Sequence, residues 1–302
     1  MTILTNNVLT IDNSALELIT TCPRKAYFSL IRRRRIEAEQ PALRFGGHIH
    51  SALAYRYKRE AMLKPWSEEK QLTILERRFV ATPCIDEGWR NLGMAQKVIQ
   101  HYNEQHLLEP FDVLRGGSNN LPLVERPFAL YMGKIGETSI VYTGRIDTII
   151  KDIEGVFVMD HKTTSVMGPT YWQTTNMSEQ QRGYCYACKE SLGFEPTGYI
   201  TNVLATRAPT RTGTSIEFAR QRFYTKVPPG QLDEWRDNML AQVDVFLYYH
   251  KKNVYPAHHY HCVHKFGVCE FYSVCEMPKD AREAVLMSPA FKENTWSPLY
   301  HN

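Results

Sequence analysis

Three consecutive stretches rich in β-branched and aromatic residues constrain the fold of this chain more than any other feature. They cover residues 123–132, 139–151 and 156–162. The segment 152–155, Asp-Ile-Glu-Gly, separates the last two and fits a hairpin turn. Strands joined by short turns pair antiparallel. The sequence therefore predicts three sequential antiparallel strands in the middle of the chain.

Patterns typical of helices surround these strands. Two helices are predicted between Asp12 and about Arg35, the first with a capping-box pattern of Ser14 and Glu17. The stretch 44–106 is mostly helical with a break at 82–84, and later helices are predicted at 178–192 and 231–252, with strands at 198–206 and 218–227. We expect an α/β fold with a mixed sheet core flanked by helices. Its parts would be an N-terminal helical region (1–110), a core (111–230) and a C-terminal helix with a cysteine-rich segment (231–302), joined in one compact body.

Composition excludes several classes of protein. No stretch approaches the roughly 18 uninterrupted apolar residues of a membrane helix, and the N-terminus lacks a signal-peptide pattern. Seven cysteines are an odd number, which argues against a complete disulfide framework and suits a reducing compartment. We therefore expect an intracellular protein that acts in the cytoplasm.

Positive charge is concentrated in two places, although the formal net charge is only +4. Arg24, Lys25 and the run Arg32, Arg33, Arg34 and Arg35 form the first. The second consists of Arg207, Arg211, Arg220, Arg222 and Lys226. Each is either a solvated surface or a track for nucleic-acid phosphates, and we expect Arg32 to Arg35 to guide a strand.

The segment Gly-Arg-Ile-Asp at 144–147 and the segment Asp-His-Lys-Thr-Thr at 160–164 carry the clearest chemical signal. A hairpin places Asp147 beside Asp160, and the two-residue period of a strand puts Asp160 and Lys162 on one face. Two carboxylates suit Mg²⁺ or Mn²⁺, and a nearby lysine can stabilise charge on a phosphoryl group. The alternative is a surface Asp-Lys pair beside an isolated aspartate.

The order of these segments, followed by a helix with Gln180-x-x-x-Tyr184, resembles the RecB-like branch of the PD-(D/E)XK nuclease superfamily. That branch includes the CRISPR-associated iron-sulfur exonucleases and the nuclease domains of recombination helicases. The resemblance implies a restriction-endonuclease-like sheet core. It also implies a catalytic set, with metal held by the aspartates, that consists of Asp147, Asp160, Lys162, Gln180 and Tyr184.

Two upstream segments extend the resemblance. The segment 46–53 resembles the Gly-x-x-x-His-x-x-Leu helix of the family, which implies that His50 is a metal ligand and His48 is not. A histidine satisfied by structural contacts is the alternative. Glu125, in a Glu-x-Pro-Phe strand, is carried as a supporting carboxylate; the alternative is a solvent-facing glutamate on an edge strand.

Four cysteines resemble the cluster ligands of many RecB-like nucleases. Cys22 lies in a Cys-Pro-Arg context before the core, and Cys262, Cys269 and Cys275 lie behind it. The resemblance implies a 4Fe-4S cluster that ties the two parts of the chain together. Structural Zn²⁺ on the same thiols, or with His261 or His264 replacing one, is the alternative.

The remaining cysteines carry a simpler prediction. Cys185 and Cys188 are expected to be a buried helical pair, and Cys84 has no evident partner.

The sequence thus predicts a Mg²⁺- or Mn²⁺-dependent DNA exonuclease that acts on single-stranded or processed ends. Recombination, repair, phage DNA processing and CRISPR adaptation are all compatible pathways, and a phage-encoded protein would act in the host cytoplasm. The alternative is a DNA-end-binding or recombination partner whose site is weak or works only within a complex. Because the chain lacks a Gly-x-x-x-x-Gly-Lys-Ser/Thr loop, a helicase motor would be a separate partner, as would an annealing protein or an integrase.

Overall fold

The computed structural model describes residues 4–36, 41–84, 90–165, 169–206, 218–264 and 267–295. The chain divides into two compact units. Unit 1 consists of Met1–Ala38, Ala129–Gly144 and Asp233–Asn302, and unit 2 of Glu39–Phe128 and Arg145–Leu232. The expected three-part division, 1–110, 111–230 and 231–302, remains a prediction.

The helices, in chain order, are α1 (Asn13–Thr21), α2 (Pro23–Ala26), α3 (Pro41–Ala61), α4 (Glu68–Ala81), α5 (Leu92–Gln105), α6 (Pro169–Asn176), α7 (Glu179–Leu192), α8 (Gln231–Lys252), α9 (Tyr272–Glu276) and α10 (Arg282–Leu286). A π-helical turn, Tyr27–Ile31, follows α2, and a 3₁₀ turn covers His259–His261. The predicted helix 231–252 has the observed bounds, whereas the described residues of 44–106 form three helices with two breaks rather than one.

The strands, in chain order, are β1 (Leu4–Thr5), β2 (Val8–Ile11), β3 (Arg34–Ile36), β4 (Asp112–Val113), β5 (Arg115–Gly116), β6 (Leu121–Pro122), β7 (Val124–Ile135), β8 (Thr138–Asp152), β9 (Gly155–Thr164), β10 (Pro196–Thr206), β11 (Phe218–Lys226), β12 (Val263–His264), β13 (Gly267–Val268) and β14 (Phe291–Glu293). The three predicted sequential strands are β7, β8 and β9, of which β8 pairs with both others.

Unit 2 contains a mixed sheet. The later part of β8 pairs antiparallel with β9, β9 pairs parallel with β10, and β10 pairs antiparallel with β11. The β8–β9 turn forms because Asp152 Oδ1 accepts the backbone N–H groups of Glu154 and Gly155 at 2.8 and 3.2 Å. The parallel pair needs a crossover, which α6 and α7 supply. The mixed α/β class is confirmed.

The core of unit 2 lies among α3, α4, α5 and the sheet. One apolar cluster joins buried residues of all four, among them Ile49, Leu75, Ile99, Met159 and Ile200. Because the apolar positions of α3 recur at helical spacing, the helix buries one face along its length. His50 lies on α3 at the edge of this buried face, so the core fixes the helix that carries it.

Unit 1 is built from three separate stretches of chain. The first part of β8 pairs parallel with β2, and β3 pairs antiparallel with β14. A small apolar cluster joins Phe28, beyond α2, to Phe271 and Phe291 near the end of the described residues. Residues far apart in sequence therefore meet in one core.

The first helix begins two residues earlier than its capping pattern predicts. The Asp12 carboxylate, not the Ser14 hydroxyl, caps α1 and accepts the backbone N–H of Ala15 at 2.8 Å. Asp12 is buried at this helix end, and its burial raises its pKa to about 6. The prediction of a Ser14 cap was therefore wrong, because Asp12, an equally favoured N-cap residue, lies two residues earlier and accepts the first free N–H group.

None of the helices in the described parts of the chain has the length and apolar character that a membrane crossing needs.

Part of the second basic stretch, Arg207 and Arg211, lies outside the described residues. Within the described part, Arg222 is half-buried and Lys226 pairs with Glu154 at 2.8 Å. At least these two cations of that stretch are engaged by the protein itself.

Candidate active site

Three side chains of unit 2 bring potential metal ligands together. Among the described residues, one donor atom each of His50, Glu125 and Asp147 lies within 4.8 Å of the others. His50 Nδ1 is 3.4 Å from Asp147 Oδ2. The three come from α3, β7 and β8, so three different elements converge here. One imidazole and two carboxylates form a donor set that fits a divalent cation.

A glycine one helical turn before His50 lets α3 approach the sheet. A Cβ atom on Gly46 would lie only 3.0 Å from the Thr163 hydroxyl of β9, whereas a Cβ on Gly47 would meet nothing within 4 Å. The close contact between α3 and β9 at Gly46 fixes the position of His50, one helical turn later, relative to the sheet. The family-like spacing Gly46-x-x-x-His50 therefore has a steric reason.

Glu125 adopts a backbone conformation that is unusual for a residue with a side chain. Its φ angle is +53°, in the left-handed region, although it lies in β7. Such a conformation costs about 1–2 kcal/mol for a non-glycine residue. Here it accompanies a carboxylate that lies beside His50 and Asp147, and Arg145 Nη1 is 3.6 Å from that carboxylate.

Asp160 and Lys162 form an ion pair on β9, in which the aspartate is buried and the lysine half-buried. Lys162 Nζ lies 2.9 Å from Asp160 Oδ2 and donates to Oδ1 at 3.2 Å. The lysine also donates to Gln180 Oε1 at 2.9 Å, and Gln180 Nε2 donates to the Tyr184 hydroxyl at 3.1 Å. The Gln-x-x-x-Tyr helix α7 thus presents both motif residues to the lysine side of the site.

The backbone of His161 forms hydrogen bonds with two of the candidate ligands. Its N–H donates to Asp147 Oδ2 at 2.8 Å, and its backbone also hydrogen-bonds His50. The ring stacks on Tyr57 at 5.5 Å, and Asn202 Nδ2 donates to its Nδ1 at 2.8 Å. Burial lowers the pKa of His161 well below its usual range, so the ring is a neutral packing element.

A buried ion pair between Arg222 and Glu109 stabilises this network. Arg222 donates to Asn202 Oδ1 at 3.3 Å and to both oxygens of Glu109, at 2.6 and 2.8 Å. Bidentate arginine–carboxylate pairs are rigid. The pair therefore fixes Asn202, and through it the ring of His161.

Burial and mutual repulsion disfavour negative charge at the two carboxylates of the ligand group. Burial and the nearby Asp160 raise the pKa of Asp147 to about 7, and burial and Asp147 raise the pKa of Glu125. Burial lowers the pKa of His50, so the imidazole is neutral near pH 7 and free to donate its lone pair. A group of this kind is balanced by a bound cation.

The lysine and the tyrosine keep their protons. Burial lowers the pKa of Lys162, but the Asp160 carboxylate outweighs it and the pKa is raised overall. Burial raises the pKa of Tyr184 to about 12. Lys162 is therefore a fixed positive charge and Tyr184 a neutral hydroxyl.

The positions of the predicted site residues differ in one respect from the expected ligand set. His50 and Asp147 lie together as predicted, but the third member of their group is Glu125, and Asp160 faces Lys162 and Gln181 Nε2, the latter at 3.1 Å. His48 points elsewhere: its Nε2 lies 2.9 Å from the Thr82 carbonyl oxygen.

Sequence reasoning missed Gln181 and His161. Gln181 is buried, joins Asp160 to Thr201 and follows a motif residue directly, yet a neighbour of a motif residue carries no signal of its own. His161 occupies the unspecified position of Asp-x-Lys. The only hint was that β9 is a central strand, whose residues are buried on both faces of the sheet.

The four predicted cluster cysteines lie around one cavity of unit 1. Cys22, Cys262, Cys269 and Cys275 line a space of about 240 Å³ together with His258 and His261. Burial raises the pKa of the Cys269 and Cys275 thiols. Among the described residues, no three Cys or His donor atoms of this cavity lie within 4.8 Å of one another. The side chain of His264 lies outside the described residues.

The other three cysteines are separate from that cavity. Cys185 and Cys188 are buried on α7, and burial raises the pKa of Cys188 to about 12, so both thiols pack as small apolar groups. Cys84 is half-buried beside the core of unit 2.

Two members of the arginine run are engaged by carboxylates within unit 1. Arg32 pairs with Glu283, and Arg33 Nη2 lies 3.1 Å from Glu293. Arg34 and Arg35 lie on the short strand β3, which pairs with β14. The role of Arg32 to Arg35 in guiding nucleic acid remains a prediction.

Comparison with known proteins places this site in a family. A model of the PD-(D/E)XK nuclease superfamily matches residues 13–276. The crystal structure of a presumptive exonuclease from Eubacterium rectale is similar in fold, with a TM-score of 0.50, 11% identity and 89% of each chain covered. The structure of SSO0001 is a more distant match, with a TM-score of 0.29, 11% identity and 77% of this chain against 75% of that chain covered. No curated protein matches the chain.

The family model covers both aspartates, the lysine, His50 and Glu125. The mixed sheet with its flanking helices agrees with the restriction-endonuclease-like fold that the resemblance implied. The chain therefore belongs to the PD-(D/E)XK nuclease superfamily, whose members are hydrolytic, metal-dependent nucleases.

Proposed function

We propose that this protein is a Mg²⁺- or Mn²⁺-dependent DNA exonuclease of the RecB-like branch, acting on single-stranded or processed ends. One observation carries the proposal. The ligand group of His50, Glu125 and Asp147 adjoins the Asp160–Lys162 pair, since the backbone N–H of His161, the residue between the two, donates to Asp147 Oδ2 at 2.8 Å. Ligands for a cation and a fixed positive charge are the two requirements of phosphodiester hydrolysis by this class of site.

His50, Glu125 and Asp147 would hold the cation. Asp160, whose oxygens contact Lys162 and Gln181, stays a ligand that the resemblance predicts. A bound divalent ion would supply Lewis-acid polarisation and a more acidic water. The neutral His50 needs no proton release to act as a ligand, whereas Asp147, with its pKa near 7, must give one up.

Lys162 would stabilise negative charge that develops on the scissile phosphate. It keeps its proton because Asp160 outweighs the effect of burial, so it acts as a cation and not as a base. Gln180 Oε1 and Asp160 hold the ammonium from two sides and restrict its rotation. Tyr184, bonded to Gln180, would position that amide and add a hydroxyl donor near the site.

An exonuclease specificity and a RecB-like assignment are supported by the order of the sequence motifs. The similar fold of a presumptive exonuclease is compatible with this proposal. The pathways and the helicase, annealing or integrase partners stay predictions of the resemblance.

We also propose a 4Fe-4S cluster on Cys22, Cys262, Cys269 and Cys275. Their shared cavity supports it, because four thiolates are the usual ligand set of such clusters. A single tetrahedral Zn²⁺, with bonds of about 2.3 Å, would need its sulfurs about 3.8 Å apart. Structural Zn²⁺ on the same thiols stays the alternative, and metal analysis distinguishes the two.

The nuclease proposal is tested with end-labelled single- and double-stranded DNA and protein purified without oxygen. Cleavage is expected with Mn²⁺ or Mg²⁺ and not with EDTA. Asp160→Asn is expected to slow it by at least about 100-fold, because the isosteric amide removes the charge that holds Lys162. Asp112→Asn changes an exposed aspartate of the same unit and is expected to leave the rate unchanged.

Equal cleavage by the Asp160 and Asp112 variants would overturn the site assignment. Products released as mononucleotides or short fragments from one labelled end would support exonuclease action, and internal fragments would contradict it. Iron and sulfide assays on the same preparation test the cluster: about four of each per chain are expected, and one zinc without iron would contradict it.

A further inference from the structure

A second cavity of unit 1 carries a different chemistry from the cysteine cavity. Its volume is about 280 Å³. Its lining includes three cations, one carboxylate and two aromatic rings, which are Arg24, Lys279, Arg282, Glu283, Tyr27 and Tyr255. It contains none of the residues of the candidate active site, and nothing in the proposed hydrolysis uses it.

The cavity has an excess of positive charge. Its carboxylate, Glu283, already pairs with Arg32. Lys279 is exposed and forms no ion pair within the described part of the chain. The three cations of the wall are therefore not neutralised by the one acid beside them, and an anion would stabilise this arrangement.

Backbone contacts hold the two guanidinium groups in place. Arg24 Nε donates to the Tyr255 carbonyl oxygen at 3.2 Å, and Arg282 Nε donates to the Met277 carbonyl oxygen at 3.1 Å. Arg24 also bonds the Cys275 thiol, and Arg282 Nη2 lies 3.4 Å from the Cys275 carbonyl oxygen. A guanidinium has five N–H donors, so each keeps donors for a phosphate oxygen.

An aromatic pair forms another part of the wall. The rings of Tyr27 and Tyr255 stack with centroids 4.1 Å apart and an angle of 21° between their planes. Bases of single-stranded nucleic acids stack on aromatic rings without regard to sequence, and here an outer face of the pair would take one base. A volume of about 280 Å³ is just below the usual range for ligand pockets, about 300–1,000 Å³. It suits one nucleotide and is too small for a duplex.

We propose that this cavity binds one nucleotide of a single-stranded nucleic acid, with its phosphate between Arg24, Lys279 and Arg282 and its base against Tyr27 and Tyr255. The choice of a nucleic acid rests on the proposed function, but the site does not need the nuclease to be active. It would hold a strand independently of the metal-binding residues.

The test measures binding of a fluorescent, 5′-phosphorylated oligothymidine to the full chain in EDTA, where no cleavage occurs, over a range of salt concentrations. The cavity variant is Lys279→Gln with Arg282→Gln. The matched control is Lys251→Gln with Lys252→Gln, which removes the same charge from two exposed lysines of α8 outside the cavity. Thermal unfolding checks that each variant is folded.

The cavity variant is expected to bind about tenfold more weakly than wild type. The slope of log affinity against log salt should decrease by about 1.4, because each phosphate contact to a single strand contributes about 0.7. The control variant should keep the wild-type slope. Lys279→Gln alone, which breaks no internal contact, should lower the slope by about 0.7 even if the double variant is destabilised.

Equal affinities and slopes for the cavity and control variants would overturn the proposal. Displacement of the strand by micromolar inorganic phosphate would overturn the choice of a nucleic acid, since the site would then take the free anion. An oligomer with abasic sites should bind at least about fivefold more weakly, and equal binding would overturn the stacking assignment. Loss of binding here with intact cleavage, or the converse, separates this proposal from the nuclease proposal.

Discussion

At the scale of single residues, the candidate site is held in an unfavourable electrostatic state. Asp147 and Glu125 are brought together and desolvated, and the pKa of each is raised in consequence. Glu125 also lies in the left-handed region of backbone space. Strain and repulsion at one place are typical of sites that are completed by a ligand.

Asp147→Asn is expected to stabilise the metal-free protein at pH 8. The pKa of Asp147 is about 7 when folded against an ordinary value of 3.8, so the unfolded chain releases this proton first as the pH rises. Stability from this group is therefore lost between about pH 4 and 7, and the neutral amide avoids the loss. The measurement is thermal unfolding in EDTA at pH 8 and pH 5.5.

The advantage of the Asp147 variant should shrink at pH 5.5, where wild-type Asp147 is mostly protonated. Mn²⁺ should raise the unfolding temperature of wild type more than that of the variant. A variant that is less stable than wild type at pH 8 would show that the carboxylate is not under strain.

Glu125→Asn is expected to separate metal affinity from folding. Asparagine tolerates the left-handed backbone better than most residues, so the unfolding temperature in EDTA should change little. The shorter, uncharged side chain cannot replace the carboxylate, so the half-saturating Mn²⁺ concentration for cleavage should increase at least about tenfold. An unchanged metal requirement would mean that Glu125 only supports Arg145, which lies 3.6 Å away.

At the scale of elements, the distance between α3 and β9 determines the position of His50 relative to the sheet. Gly46 makes that contact possible, since its missing Cβ would lie 3.0 Å from the Thr163 hydroxyl. The neighbouring Gly47 faces open space. Two adjacent glycines of one helix thus have different reasons to be there.

Gly46→Val is expected to destabilise unit 2 by about 1–3 kcal/mol and to raise the Mn²⁺ requirement, because the added methyl groups push α3 away from β9. Gly47→Val is the matched control: valine forms helix slightly better than glycine, so stability should be unchanged or higher. Urea unfolding and metal-dependent cleavage measure both effects. Equal losses in the two variants would refute the steric argument.

Local patterns were enough to predict many elements. The hairpin of β8 and β9 was predictable from its β-branched and aromatic residues and the Asp152 turn, and α8 from its helical spacing. Glu125 was predicted only as a supporting carboxylate, because nothing in a Glu-x-Pro-Phe strand signals its positive φ angle or its place beside His50 and Asp147. Helix α6 was also missed, since four of its eight residues are Thr or Asn, which favour helix only weakly.

The partners of Asp160 required three-dimensional information. Period-two alternation correctly put Lys162 on the same face, but it could not show that Gln181 of α7 also donates to Asp160, at Oδ2. The two compact units were equally hidden, because each is assembled from separated stretches and no linker or change in composition marks their limits.

At the scale of the whole molecule, the proposed cluster closes very long loops. Cys22 and the three later cysteines belong to unit 1 but are separated by most of the chain. Cross-links that close long loops stabilise a fold mainly by restricting the unfolded chain. The small apolar cluster around Phe28 and Phe271 would then need less area to hold unit 1 together.

Cys269→Ser is expected to lower the stability of unit 1 by about 2–4 kcal/mol, as for the loss of a cross-link over a long loop. Cys84→Ser, a half-buried thiol of unit 2, is the control and should cost less. Anaerobic calorimetry with iron analysis on both proteins measures the difference. Equal losses, with iron retained in both, would rule out a cluster ligand at Cys269.

The order of these stretches along the chain also determines when each unit can be completed during synthesis. Every residue of unit 2 has been synthesised once position 232 is reached, whereas unit 1 still lacks its last stretch, 233–302. At about 5–20 residues per second, those 70 residues take roughly 4–14 s. Over the first 43 of those residues, up to position 275, Cys22 still lacks at least one of its three proposed partners, so assembly of the proposed cluster would be a late event in synthesis.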